Sequence, residues 1–166
     1  MQKLNLIIIG GGMFVSGQSN DDFGTILPSV LQAKKNNLVN DITICCKSLK
    51  TAKKNIKKYK KIIKLLNLKS NIEVFPQNKD DPNGYLKILK KKKFDCAIVS
   101  VPDHLHYKIC KDVLSHKIHC LVVKPMVTKI DHAEKLFDLS KKNKLIGQVE
   151  FHKRLDESNL IIRDKI

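Results

Sequence analysis

Three consecutive glycines, Gly10-Gly11-Gly12, follow the apolar run Leu4–Ile9 and lead into Met13-Phe14-Val15. A glycine where a strand ends permits a tight turn, and a second lets the backbone come close to a pyrophosphate. The N-terminus of a helix that follows would attract the phosphates. Gly10 and Gly12 match the first half of G-x-G-x-x-G, while Val15 stands at its third glycine position. Alone, the pattern also fits a plain strand-ending turn. Its place after the first of six strand-like runs favours dinucleotide binding, with Gly10, Gly12 and Met13 as contacts.

Three further segments carry chemistry at strand ends. After the second run, where NAD enzymes place an acid on the adenosine ribose, the chain reads Cys46-Lys47-Ser48-Leu49-Lys50 with no acid. Lys47 and Ser48 suit a 2′-phosphate and tilt the reading of NAD(P) slightly toward NADP, although Lys fills 30 of 166 positions and would occupy most such windows by chance. After the fourth run come Ser100-Val101-Pro102-Asp103-His104-Leu105-His106, beside the crevice at the topological switch point. Ser100, Val101, Pro102 and His106 are thus expected to line the cofactor. His106 and Cys110 have a helical metal-ligand spacing, but no second pair accompanies them, so no metal is expected. After the fifth run, Lys124 stands between Val123 and Pro125. There an ammonium can move a proton or donate to a hydroxyl or carbonyl oxygen; the plainer alternative is a lysine snorkelling at a strand end.

The elements that must position these residues are legible as patterns. Leu4–Ile9, Asp41–Cys46, Ile72–Phe75, Asp95–Val101, Ile118–Val123 and Leu145–Glu150 have strand length and β-branched content. Between them, Ser48 to about Leu66 repeats Ala52, Ile56, Tyr59, Ile63 and Leu66 at helical spacing, with Lys53, Lys54, Lys57, Lys58, Lys61 and Lys64 forming a solvated face. Leu86–Lys92, His104–Ser115 and Asp131–Lys142 supply further helices, the last with Asp131 as N-cap. A convincing helix after the glycines starts only at Ile26, which leaves an unusually long stretch, Phe14–Thr25, before it. Alternating strands and helices predict a doubly wound parallel sheet of order 3-2-1-4-5-6, a Rossmann α/β fold over residues 1–150. Beyond residue 150 the pattern dissolves, and residues 151–166 look like the start of a connection within a larger protein.

Composition narrows the class. The 166 residues carry 32 Lys+Arg against 16 Asp+Glu, a net +16, yet Arg occurs only at Arg154 and Arg163. A nucleic-acid surface draws on Arg and on stacking aromatics, and the chain has no Trp. The charge is read as a lysine drift of the whole chain, with no nucleic-acid partner expected. No apolar stretch approaches the ~20 residues of a membrane span. Five cysteines without a C-x-x-C pair point to a reducing, cytoplasmic setting. Cys45 and Cys46, adjacent on one strand, should face opposite sides of the sheet.

Together these motifs carry a resemblance. Gly10-Gly11-Gly12-Met13, Ile26-Leu27-Pro28-Ser29, Val101-Pro102-Asp103-His104-Leu105-His106-Tyr107, Val123-Lys124-Pro125 and Glu150-Phe151-His152-Lys153-Arg154-Leu155-Asp156 follow in an order that resembles the glucose–fructose oxidoreductase/inositol dehydrogenase (Gfo/Idh/MocA) family. The resemblance implies NAD(P)-dependent hydride transfer to or from a sugar, polyol or related small molecule, and admits a homo-oligomer of the full-length protein. It places Lys124 in the family's Glu-Lys-Pro motif, near both nicotinamide and substrate, as the catalytic candidate. It also places Lys153 and Arg154 on the substrate side, makes Phe14–Thr25 look like an insertion, and implies that residues 151–166 begin the connection to a second, substrate-binding α/β domain absent here. The motif's glutamate is Val123 here, and the family's usual asparagine after Thr-Pro is Asp103. A non-catalytic nucleotide-binding module and, further off, a basic nucleic-acid-binding domain are the competing readings.

Overall fold

In the computed structural model, residues 2–19 and 21–165 are described; Met1, Asn20 and Ile166 lie outside them. Six strands form one parallel sheet: β1 (Leu4–Ile9), β2 (Val39–Cys45), β3 (Glu73–Phe75), β4 (Cys96–Val99), β5 (His119–Val123) and β6 (Gly147–Glu150), in the order β3-β2-β1-β4-β5-β6. This is the doubly wound order expected from the alternation of runs. The helices are α1 (Met13–Ser16), α2 (Ile26–Lys35), α3 (Leu49–Leu65), α4 (Gly84–Lys91), α5 (Asp103–Ser115), α6 (Ile130–Lys142) and α7 (Glu157–Lys165), with a 3-10 turn at His152–Leu155.

The period-two alternation of a strand sorts apolar side chains onto two faces. From β1, Ile7 and Ile9 enter one core with Ala97 and Val99 of β4, closed by Ile88 of α4, Val113 of α5 and Leu136 of α6. Leu6 and Ile8 enter the other with Ile44 of β2, under Val15, Leu27, Leu31 and Ala52 of α1 to α3. Cys45 belongs to the first core and Cys46 to the second, as their adjacency requires. Ile7 and Ile8 are fully buried, and each such side chain contributes about 1.5–3 kcal/mol of transfer free energy.

Two local expectations are corrected. α6 starts one residue early, with Lys129 at the N-cap position and no side-chain cap. Asp131 therefore lies in the first turn, where it pairs with Lys135 at 3.2 Å. More consequential is the lysine face of α3. Lys58 is only 4% exposed: its ammonium donates to the carbonyls of Ser19 and Asp22 and lies 5.1 Å from the centre of the Phe23 ring, while Lys54 donates to the Gly17 carbonyl. Burial, and then the ammonium groups of Lys54 and Lys61, lower the Lys58 pKa. Asp22 adds to these contacts by accepting from the N–H groups of Gln18 and Gly24 at 2.8 Å each. Those N–H groups, Gly24 first, hold its carboxyl below the usual range, with Lys58 and Lys54 adding to the effect.

Lys58→Met is expected to lower stability by about 1–3 kcal/mol, because two backbone carbonyls lose their donor. Lys57→Met, on the exposed side of the same helix, should stay within about 0.5 kcal/mol. Urea unfolding distinguishes the two, and equal midpoints would show that the loop contacts add nothing. Since the Asp22 pKa is depressed, its contribution should be present above the ordinary carboxylate pKa and be lost as pH falls through the lowered value.

Candidate cofactor and substrate clefts

The three glycines do three different things. Gly10 has φ +120°, in the region that favours glycine, and a Cβ there would lie 1.8 Å from the Ser100 carbonyl oxygen. Its N–H donates to the Cys45 carbonyl at 2.9 Å, so the ends of β1, β2 and β4 meet at this residue. Gly11 is the point where α3 closes on the turn: a Cβ would lie 2.5 Å from Cys46 Sγ and 2.8 Å from Asn55 Nδ2. Asn55, fully buried, donates to the Gly11 carbonyl at 3.0 Å and to that of Thr51 at 2.9 Å. At Gly12 a Cβ would meet nothing within 4 Å; this residue faces open space. α1 follows for a single turn only, so less macrodipole gathers there than a full helix would supply. The first N–H groups of that turn, Met13 and Phe14, still have no intrahelical acceptor.

The open side of Gly12 is a cleft of about 600 Å³ along the carboxyl ends of the strands. Gly10, Gly12, Met13, Lys47, Ser100, Val101, Pro102 and Lys124 all line it. Thr51, Asn83, Tyr85 and Lys108 line it as well; sequence reasoning missed them, because they come from helices and a loop distant in sequence from the glycines. Tyr85 donates to Asp112 Oδ2 at 2.7 Å, and burial first, then that hydrogen bond, raises the pKa of its hydroxyl.

Two expected contacts are placed elsewhere. Ser48 caps α3: its Oγ accepts from the Thr51 N–H at 3.3 Å and lies 3.0 Å from Thr51 Oγ1. The neighbouring Leu49 N–H is taken by Asp80 Oδ1 at 2.8 Å. His106 falls on the buried stripe of α5 with Ile109, Cys110 and Val113, which carries its ring away from the cleft and leaves it 0% exposed. Nδ1 lies 2.6 Å from the Pro125 carbonyl oxygen and Nε2 2.8 Å from that of Val101. The ring thus ties the end of β4 to the turn carrying Lys124, whose peptide bond to Pro125 is cis. That is a positioning role for His106.

Lys124 also borders a second cleft of about 630 Å³, lined by Phe151, His152, Lys153, Arg154, Asn159 and Arg163. The expected substrate residues Lys124, Lys153 and Arg154 therefore share one space. Lys153 pairs with Asp156 at 3.0 Å, and the Arg154 guanidinium lies 4.5 Å from the centre of the Phe151 ring. Phe14, from the glycine turn, reaches across to His152 with ring centres 6.2 Å apart.

Among the described residues no three His, Cys, Asp or Glu side chains are grouped to hold a metal. The five cysteines are free. Burial pushes the Cys45 and Cys46 thiols up to about 12 and Cys96 to about 11, so they remain neutral and poor nucleophiles at neutral pH. No helix among the described residues is long and apolar enough to cross a membrane.

Comparison with known proteins agrees with this architecture. An uncharacterized oxidoreductase of Schizosaccharomyces pombe is 28% identical over 80 residues, which span 48% of this chain and 22% of the yeast protein. Among solved structures, a Bacteroides fragilis protein assigned as an oxidoreductase superposes with a TM-score of 0.70 at 19% identity, covering 98% of this chain and 39% of that one. The WlbA dehydrogenase of Bordetella pertussis, in complex with NADH and UDP-GlcNAcA, gives 0.69 at 12% identity, with coverage of 98% and 41%. Biliverdin reductase from Synechocystis, in complex with biliverdin and NADP+, gives 0.68 at 14% identity, with coverage of 97% and 42%. The chain thus spans about two fifths of the solved proteins it resembles. Residues 4–151 match the oxidoreductase family GFO_IDH_MocA, described as an NAD-binding Rossmann fold. The chain belongs to the Gfo/Idh/MocA oxidoreductase family, as its NAD-binding Rossmann domain.

Proposed function

We propose that the chain is the cofactor half of an oxidoreductase acting on a sugar, polyol or related small alcohol or carbonyl compound. The observation that carries this reading is the open side of Gly12, which faces a cleft running from Lys47 at one end to Lys124 at the other. The Gly10–Met13 turn fits a pyrophosphate, because at Gly12 no side chain stands between the backbone and the cleft. Ser100, Val101 and Pro102 form the wall opposite. The nicotinamide, when bound, supplies the hydride chemistry. Lys124, bordering both clefts, donates to the reacting oxygen and moves its proton. Val123 occupies the place of an acid, so this lysine works without a carboxylate beside it in sequence.

For the adenosine end we propose a small preference for NADP, resting on Lys47 alone, since the Ser48 hydroxyl caps α3. Asp80, fixed on the Leu49 N–H, brings a carboxylate to the same helix start and keeps that preference small. We also propose that the substrate half lies in a further domain, as the coverage of the solved relatives supports. The five free thiols support a reducing, cytoplasmic setting.

Gly12→Val should abolish NADH binding in a fluorescence titration and leave the circular dichroism spectrum unchanged, since the side chain would branch into the cleft from a Cβ that has no protein atom within 4 Å. Undiminished affinity would remove the glycine turn from the cofactor site. Lys47→Ala is expected to weaken NADP more than NAD through loss of one charge-assisted contact, on the order of 1.5–3 kcal/mol at most; equal losses would return Lys47 to the solvated lysine background. In an active enzyme containing this domain and its substrate half, Lys124→Ala should depress turnover far more than coenzyme affinity. Normal turnover of that variant would exclude Lys124 from proton transfer.

A further inference from the structure

The second cleft holds an anomaly of composition. The chain meets its need for positive charge with Lys at 30 positions and with Arg at only two, and both of those, Arg154 and Arg163, line this one cleft. Two residues scattered at random over 32 basic positions would seldom share so small a space. Lysine satisfies any requirement for a point charge. What it lacks is the planar fork that matches a carboxylate or phosphate with two parallel hydrogen bonds.

The surroundings of the two arginines leave that fork available. Arg154 lies against the Phe151 ring, a stacking that orients the guanidinium while its edge N–H groups stay open to a planar partner. Among the described residues no carboxylate pairs with Arg154 or with Lys124. The acids nearby are committed elsewhere or weakly held. Asp156 pairs with Lys153, and Glu150 lies 3.3 Å from His152. Asp164 accepts from Nε and Nη2 of Arg163, its neighbour in sequence. Both members of that last pair are about two-thirds exposed (69% and 66%), so it contributes little and yields readily to a ligand.

We propose that this cleft selects an anionic substrate, one bearing a carboxylate or a phosphate, held by Arg154 and Arg163 with Lys124 at the reacting end. The proposal rests on the oxidoreductase reading for the role of Lys124, and it adds the chemical class of the substrate. A neutral sugar or polyol would leave two guanidinium groups without partners in the space it occupies, whereas an acidic or phosphorylated one supplies them.

The test is calorimetric titration of the 166-residue chain at physiological ionic strength, with and without saturating NADH, using glucose, glucuronate and glucose 6-phosphate as probes. At least one anionic sugar should bind about tenfold or more tightly than glucose, and the stronger of the two identifies carboxylate or phosphate as the preferred group. Arg154→Lys and Arg163→Lys, which preserve charge, should each lose about tenfold of that affinity. Lys60→Gln, an exposed charge removed from α3, should change nothing. Equal affinity for all three sugars, no binding of either anion, or Arg→Lys variants that bind as the wild type does would each overturn the proposal. Equal weakening by Lys60→Gln would do so too, by attributing binding to the net charge. NADH binding without an anion preference defeats the substrate class and leaves the cofactor reading intact; an Arg-dependent anion preference without NADH binding does the reverse.

Discussion

The close approach of β1 to β4 sets the geometry of the whole carboxyl edge. The two strands are neighbours in the sheet, yet the chain leaves them toward opposite faces, so a crevice opens between their exits. The Ser100 carbonyl oxygen occupies the place that a Cβ on Gly10 would need, which lets the strands remain paired to their last residues. From that point the Gly11 backbone is drawn under α3 by Asn55, and Gly12 turns outward. Were β1 and β4 splayed at this position, neither the outward face of Gly12 nor the wall at Ser100–Pro102 would border a common space.

The scaffold was readable because it depends on periodicity. Strands buried on both faces appear as short β-branched runs, and α3 shows its apolar stripe even among many lysines: Ala52 and Tyr59 are buried and Ile56, Ile63 and Leu66 half-buried against the core, while the buried Ile62 is not part of that spacing. Most ends moved by one or two residues. Asp95 and Val101 lie outside β4, and Leu145 and Ile146 outside β6, since a pattern of residue types does not say where ladder hydrogen bonds stop. The order of strands followed from right-handed crossovers together with the dinucleotide-binding reversal that the glycine turn after the first strand implies.

The site was readable only where a residue's place along the chain dictates its environment. Lys124 and Pro102 stand at strand ends and therefore border the crevice. His106 and Ser48 were misplaced because their surroundings depend on helical register and local capping: a step of two residues along α5 moves a side chain from the rim to the core. Lys58 shows the same limit. Composition counts it among many lysines, and only the loop folded over α3 reveals that its ammonium is enclosed by carbonyls. Tyr85 and Thr51 gave no signal, because what brings them to the cleft is tertiary packing.

His106 has a mechanical consequence. With one ring nitrogen facing the Val101 carbonyl and the other the Pro125 carbonyl, it acts as a rivet between two loops that the sheet alone would leave independent beyond the last ladder bond. One loop walls the cofactor cleft, and the other carries the lysine shared by both clefts. A displacement on either side is therefore transmitted to the other through a single rigid ring in direct contact with both. The two cavities share a hinge pin, and the precision of Lys124 at their border is inherited from a side chain that touches neither.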